Sequence, residues 1–118
     1  MNKRINNLIV YVSSRNNYDM LENEVFKNIN LEGFEFINVD DCSEPEEQKK
    51  GKEICRKRGI VFLENKSRGV QMATQTLIDF INKNRKSCKW IICFQHDNYP
   101  ISKNFFETIS KHIKDKSL

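Results

Sequence analysis

Four clusters of polar side chains follow the four apolar runs of this sequence, and their types suit the binding of a phosphorylated nucleotide. The clusters span residues 13–16, 40–43, 65–69 and 95–98. Carboxylates accept hydrogen bonds from a base or ribose, and they are the hard oxygen ligands that divalent cations prefer. Arginines and the free N–H groups at a helix start bind phosphate. The chain therefore carries groups that suit a nucleotide and one metal ion.

Each cluster also has a plainer structural interpretation. The Asp40–Asp41 pair could only cap a helix or form an Asx turn, and Gly69 could only permit a tight turn. Arg68 belongs to a type that is usually solvated, and the His96–Asp97 pair is not a metal site by itself. Taken together, the four clusters favour a binding site. All of them follow predicted strands, and a plain α/β domain would not need acids at two of those strand ends.

Strands and helices are predicted to alternate four times. Apolar runs predict strands over 5–12, 34–39, 60–63 and 90–94. Apolar residues at helical spacing predict helices over 19–29 and 70–81 and around 105–113. In the 70–81 helix, the predicted buried face comprises Val70, Ala73, Leu77 and Ile81, with Ile78 beside it.

A more polar helix is predicted over 43–58, with most of its surface exposed. Ser43 and Glu46 fit a capping box, and Pro45 suits the first turn. Its apolar content is chiefly Ile54 and Cys55, and Gly59 would end it.

This order predicts a single α/β domain over residues 1–118, with a mainly parallel sheet between two layers of helices. The predicted strand order is 3-2-1-4. The first strand is central because Leu8–Tyr11 leave it no solvent face. Ligands of such sheets bind beyond the carboxyl ends of the strands, where the strand order reverses. The four polar clusters all fall at that edge.

Composition excludes several other classes. The chain has 118 residues, 31% of them charged, and a net charge of +4. It has no apolar run near the roughly 20 residues of a membrane span, and its start lacks the features of a signal peptide. Its 4 cysteines form no C-x-x-C pair, so neither a zinc site nor a disulfide framework is expected, and Cys93 should be buried. A cytoplasmic location is the simplest expectation.

The lysines fit solvated helix faces, with weak attraction to an anionic membrane surface or a phosphorylated ligand as the alternative. Nucleic-acid binding is not expected, because the lysines alternate with acids and no aromatic-basic motif is present.

Three segments resemble motifs of the family 2 glycosyltransferases, which have the GT-A fold. VDDCS resembles the V-D-D-x-S that follows the second strand of that family. NKSRGVQMATQTL resembles N-x-G-x-x-x-A-x-N-x-G, with Asn65, Gly69 and Ala73 in place. WIICFQHDNYP resembles the fourth strand and D-x-D loop, with Gln95 in place of the first acid. The order and approximate spacing agree over nearly the whole chain, although Thr74, Gln75 and Leu77 replace the usual Arg, Asn and Gly.

The resemblance implies the Rossmann-like half of the GT-A fold and a nucleotide-diphosphate sugar as ligand. Asp97 would hold a divalent cation, Mn²⁺ or Mg²⁺. The nucleotide-binding set would comprise Ser13, Arg15, Asp40, Asp41, Arg68, Gln95 and His96. Within that set, Asp40 or Asp41 would bond the base, the two arginines would lie near the nucleotide or phosphate, and Gln95 would face the ribose.

In that family the acceptor site and the general base lie well downstream of D-x-D, and this chain has room for little more than one helix after Asp97. No general base is visible. The expectation is therefore a donor-binding half that transfers no sugar at a meaningful rate without an acceptor-binding partner or a further C-terminal region.

Two hypotheses from other classes remain. One is a non-catalytic nucleotide-binding or regulatory module of α/β fold. A receiver-like version would place its acid pair after the first strand, where residues 13–16 carry none. The other is an interaction module with an empty cleft, which similarity of fold does not exclude.

Overall fold

Four parallel strands form one sheet in the order β3-β2-β1-β4. The computed structural model describes residues 8–28, 35–85, 88 and 90–94. The strands are β1 (Leu8–Ser14), β2 (Glu35–Asp40), β3 (Val61–Glu64) and β4 (Trp90–Phe94). This topology confirms the predicted parallel sheet and its strand order.

The central strand is buried on both sides. Leu8 to Val12 are each at most 4% exposed. Leu8, Val10 and Val12 belong to one core cluster, and Ile9 and Tyr11 belong to a second cluster on the other side of the sheet. Since side chains alternate along a strand, a continuous apolar run is what a doubly covered strand requires.

The helical segment after β1 is irregular. Its α-helical start, α1 (Tyr18–Met20), continues as a π-helical turn, Leu21–Val25, and a 3₁₀ turn, Phe26–Asn28. Leu21, Val25 and Phe26 are buried as their spacing predicted. The α1 segment packs on the core cluster that contains Leu8, Val10 and Val12.

α2 (Pro45–Arg58) lies on the same side of the sheet as the α1 segment. Pro45 begins the helix, and Gly59 ends it with a left-handed φ of 72°, both as predicted. Ile54 and Cys55 are buried. The predicted capping box is wrong, because no side chain caps the helix start and the Ser43 hydroxyl instead accepts a hydrogen bond from the Asn16 amide.

α3 (Val70–Asn84) covers the other side of the sheet. Ala73, Leu77 and Ile81 are buried, in agreement with the predicted face. The predictions for Val70 and Ile78 are wrong, since these side chains are 73% and 39% exposed. Val70 is the first helical residue, where the chain has only just left the sheet edge. Ile78 is rotated about 100° from Leu77 around the helix axis.

The edge strand β4 also departs from expectation. Trp90 and Ile91 are 47% and 42% exposed, and Cys93 is exposed, so the prediction that Cys93 is buried is wrong. Among the described strands β4 pairs only with β1, and an edge strand is covered less completely than a central one. No helix in the described part of the chain is long and apolar enough to cross a membrane. The helix predicted around 105–113 lies outside the described residues.

Candidate functional site

The loops after the first three strands meet at the carboxyl edge of the sheet. Ser14 lies opposite Asp40 in the register, and Asp40 lies opposite Glu64, so β1, β2 and β3 end at one level. Backbone hydrogen bonds tie these ends together, from Asp41 N to Ser14 O and from Asn65 N to Asp40 O. Strand order reverses between β1 and β4, and the loop after β1 lies at that point.

The adjacent aspartates contact different helices. Asp40 is the last residue of β2 and is 0% exposed. Its Oδ1 accepts a hydrogen bond of 2.6 Å from the Tyr18 hydroxyl. Its Oδ2 accepts bonds of 3.0 Å from the Ser43 amide and from Gln48 Nε2 on α2. Both carboxylate oxygens are therefore used inside the protein, on the side of the sheet that α2 covers.

Tyr18 is the centre of this buried polar network. Its hydroxyl donates to Asp40, accepts from Asn38 Nδ2 at 3.1 Å and lies 3.0 Å from Ser14 Oγ. Burial raises the pKa of Tyr18, and its hydrogen bond to the Asp40 carboxylate raises it further. The ring packs directly on the backbone of Gly51 in α2, where a Cβ atom would overlap it.

Asp41 is only partly buried, and it joins β2 to the start of α3. Its Oδ1 accepts hydrogen bonds from the Gly69 amide at 2.9 Å and from Asn65 Nδ2 at 3.0 Å. Asn65 Oδ1 in turn accepts a bond of 2.9 Å from the Thr76 hydroxyl. The VDDCS and NKSRG segments, far apart in the sequence, are thus in direct contact.

The loops after β1 and β2 hold each other through Asn16. Its side-chain oxygen accepts from the Glu44 amide at 2.8 Å, while its own amide donates to Ser43 Oγ at 3.0 Å. Asn16 and Cys42 both have left-handed backbones, with φ of 54° and 56°. Asparagine tolerates that conformation, whereas cysteine does so less readily, and such residues cluster at binding and catalytic sites.

The two predicted arginines lie on separate parts of this edge. Arg15 is partly buried, and its Nε is enclosed without a hydrogen-bond partner among the described residues. Arg68 is exposed and lines an open groove of about 510 Å³ at the start of α3. The remaining groove residues are Ser67, Gly69, Val70, Gln71, Met72 and Gln75. Arg68 and the first residues of α3 therefore border one groove, and a cation beside a helix start suits an anion.

Ser13 is partly buried and shares a side of β1 with Tyr11, on the α3 side of the sheet. Gln95, His96 and Asp97 lie outside the described residues. Within the described part of the chain, no group of three or more His, Cys, Asp and Glu side chains is placed to hold a metal ion. The metal prediction thus depends on Asp97 and stays a prediction.

Sequence reasoning did not single out the residues that support the two aspartates. Tyr18, Asn38 and Gln48 form the network around Asp40 together with Ser14, which belongs to the predicted 13–16 cluster. One signal was available: Asn38 is a polar residue inside a strand predicted to be covered on both sides, and a buried amide needs partners.

Comparison of the chain with protein-family models, with curated proteins and with solved structures finds no match.

Proposed function

We propose that this chain binds a nucleoside-diphosphate sugar at the carboxyl edge of its sheet and serves as the donor-binding domain of a glycosyltransferase. The observation that carries the proposal is the contact of Asp41 with Gly69 and Asn65. It brings together two of the three segments that resemble the family 2 enzymes. It does so at the edge where parallel α/β sheets bind ligands.

The two aspartates have different roles in this proposal. Asp41, with the more accessible carboxylate, accepts a hydrogen bond from the base or ribose. Asp40 is enclosed by Tyr18, Ser43 and Gln48, so it positions the loop that begins at Asp41 and does not contact the nucleotide. This narrows the sequence prediction, which allowed either aspartate to bond the base.

The diphosphate binds near Arg15, Arg68 and the N-terminus of α3. The Arg15 Nε is enclosed and has no hydrogen-bond partner among the described residues, which is costly, and a phosphate oxygen would supply an acceptor. The groove beside Arg68 offers helix-start N–H groups and a second cation. Arg15 is the stronger candidate, because its Nε is already removed from water.

A divalent cation, Mn²⁺ or Mg²⁺, belongs to the proposal through Asp97, with Gln95 and His96 in the same loop. When bound, the cation offsets the charge of the diphosphate leaving group. Transfer of the sugar to an acceptor hydroxyl further requires a general base, for which the described residues offer no candidate. A cytoplasmic location is also proposed, and the free thiols of the four cysteines are compatible with a reducing compartment.

A non-catalytic nucleotide-binding module is the second candidate, and the enclosed carboxylate of Asp40 favours it. Of the two acids in the VDDCS segment, Asp40 is thus used for internal hydrogen bonds. The two candidates differ in chemistry, since a donor-binding domain should distinguish a nucleotide sugar from the nucleotide alone. A regulatory module need not do so.

Calorimetry with UDP and GDP, with and without Mn²⁺, tests the proposal. We expect weak binding that the metal strengthens, and Asp97→Asn should remove the metal effect without unfolding the chain.

Asp41→Asn retains an oxygen for the Gly69 amide but loses the charge, so it should weaken binding about tenfold or more. Asp79→Asn is the matched control, because it removes the same charge from an exposed position on α3. Equal binding by the parent and Asp41→Asn, or no binding by the parent, would refute the proposal.

A further inference from the structure

The loop after β1 contains two enclosed hydrogen-bond donors without an acceptor. They are the Nε of Arg15 and the side-chain Nδ2 of Asn17, and neither has a hydrogen-bond partner among the described residues. An unpaired donor removed from water is costly, and the cost is greater when the donor belongs to a charged group. Two such donors within three residues indicate that this loop is completed by an acceptor that the described part of the chain does not supply.

The side chain of Asn17 is held beside Arg15. Its Oδ1 accepts a hydrogen bond of 3.1 Å from the Arg15 amide. The reverse orientation of the side-chain amide would bring two donors together, so the contact with the Arg15 amide fixes which atom is Nδ2. The two donors without partners are therefore neighbours in one loop, and their positions follow from the backbone.

This loop lies at the carboxyl edge, and a small ligand can reach it. Arg15 directly follows β1, and Asn16 ties the loop to Ser43 and Glu44. Arg15 and Asn17 are each only partly buried, so solvent contacts part of both residues. The loop is thus fixed in place and accessible from outside.

The charge of Arg15 also lacks a partner, in contrast to arginines at the opposite ends of the helices. Arg56 and Arg58 lie in the last turn of α2, and Arg85 follows α3. Each of these three forms an ion pair with a glutamate. No such pair joins Arg15 to a carboxylate within the described ranges. A partly buried cation with an enclosed, unpaired nitrogen suits an anion that has several acceptor oxygens.

We infer that Arg15 and Asn17 form an oxyanion site, in which the guanidinium and the Asn17 amide donate to one phosphate group. A phosphate has enough oxygens to accept from both side chains. Arg15 supplies the charge, and Asn17, which the sequence did not assign to the nucleotide, supplies a second, neutral donor. That the phosphate belongs to a nucleotide rests on the proposed function, whereas the oxyanion site itself does not.

The probe is inorganic phosphate, titrated into the full chain at constant ionic strength and followed by heteronuclear NMR. We expect saturable shifts of the Arg15 Nε–H signal and of the backbone amides of residues 15–17. Arg15→Gln removes the charge and should weaken phosphate binding about tenfold or more. Arg56→Gln removes the same charge from an exposed position on α2, so the affinity should stay within about twofold of the parent.

Asn17→Asp tests the second donor and keeps the contact with the Arg15 amide. The new carboxylate retains an oxygen for that amide, but it repels phosphate and pairs with the Arg15 guanidinium in its place. Phosphate binding should therefore fall about tenfold or more. The melting temperature should stay unchanged or rise, because the chain then supplies the missing acceptor. Asn82→Asp is the control, since it adds the same charge at an exposed position near the end of α3 and should leave phosphate binding nearly unchanged.

Three results would overturn the inference. Shifts that do not saturate in the parent, or equal phosphate affinity of the parent and Asn17→Asp, would leave water as the partner of these donors. A lower melting temperature of Asn17→Asp would mean that Nδ2 has an acceptor inside the protein.

Competition by UDP and by uridine identifies the source of the phosphate. Displacement of phosphate by UDP and not by uridine would assign the site to the phosphates of the nucleotide. If phosphate binds and neither UDP nor GDP does, the site takes free phosphate, and the proposed function fails while this inference stands. If the parent binds UDP but not phosphate, only this inference fails.

Discussion

At the scale of single residues, the carboxylate of Asp40 is the most constrained polar group of the candidate site. It accepts hydrogen bonds from a phenol, a backbone amide and a side-chain amide, and none of its surface is exposed. Three donors therefore satisfy both oxygens of this buried carboxylate. They also fix the direction in which the chain leaves β2 towards Asp41. Site geometry and stability are thus coupled through one residue.

Asp40→Asn should therefore destabilise the protein strongly. If the asparagine oxygen stays towards Ser43 N and Gln48 Nε2, its N–H groups turn to the Tyr18 hydroxyl, which loses its acceptor; in the other orientation they face those two donors. We expect the free energy of unfolding to fall by about 2–4 kcal/mol, measured by urea denaturation. Asp79→Asn, exposed on α3, should stay within about 0.5 kcal/mol of the parent. Similar effects for the two variants would contradict the role assigned to Asp40.

Because the thiol of Cys55 is buried, we expect the folded protein to lose stability at alkaline pH. Burial raises the pKa of its thiol from 9.0 to about 12, with a smaller contribution from the Asp40 charge. Because the folded protein keeps a proton that the unfolded chain releases, this contribution is complete below pH 9 and is lost as pH rises towards 12. Urea unfolding across that range should show a shallower decline for Cys55→Ala than for the parent. Parallel declines would be evidence against a buried thiol.

At the scale of elements, α2 is fitted to the α1 segment by a glycine in its middle. Gly51 is buried, and the Tyr18 ring lies where a Cβ would be. Glycine in a helix interior normally costs about 1 kcal/mol relative to alanine. Here it permits the close approach that carries the Tyr18 hydroxyl to Asp40.

Gly51→Ala should destabilise the protein despite the better helix propensity of alanine. The ring must move, and overpacking of this kind typically costs about 1–3 kcal/mol. Lys52→Ala changes the neighbouring exposed position and should have little effect or a slightly stabilising one. Thermal unfolding of both variants provides the measurement. A Gly51→Ala variant at least as stable as the parent would show that Tyr18 does not need this contact.

Sequence patterns predicted the elements better than their ends. β1 was recognised because its apolar run leaves no polar side, and α3 because Ala73, Leu77 and Ile81 repeat every four residues. The second strand was predicted to end at Val39, whereas β2 ends at Asp40. That single residue matters, because alternation along the strand then assigns Asp40 to the side of Asn38 and Tyr18. The adjacent Asp41 is then free to contact the start of α3.

Contacts between segments that are far apart in the chain could not be predicted from the sequence. Nothing in the local pattern indicates that Asn16 would hold Ser43 and Glu44, or that Asp41 would bond Gly69. Such contacts depend on strand register and on the direction in which each loop leaves the sheet. Strand order was predictable because Leu8–Tyr11 leave the first strand no solvent face, which places it at the centre of the sheet.

At the scale of the whole molecule, two apolar clusters on opposite sides of the sheet share β1. β1 pairs with strands on both sides, whereas β3 pairs only with β2 among the described strands. The centre of the sheet should therefore open only when the whole domain unfolds, and the β3 edge should open more easily.

Amide hydrogen exchange can measure this difference. Amides of Ile9 to Val12 should exchange most slowly, with a free energy close to that of global unfolding, and those of Val61 to Glu64 should exchange faster. Equal protection in the two strands would argue against β1 as the centre of a single cooperative unit.

The central claim is that the nucleotide binds at the carboxyl edge of the sheet, and heteronuclear NMR of the full chain tests it most directly. UDP and GDP are titrated with and without Mn²⁺, and the backbone amide shifts are mapped onto the sequence. We predict the largest changes in Ser13–Asn16, Asp41–Ser43 and Ser67–Val70, with little change at Gly59 and Ile60 near the opposite ends of the strands. Changes concentrated around Gly59 and Ile60, or no changes at all with either nucleotide, would contradict it.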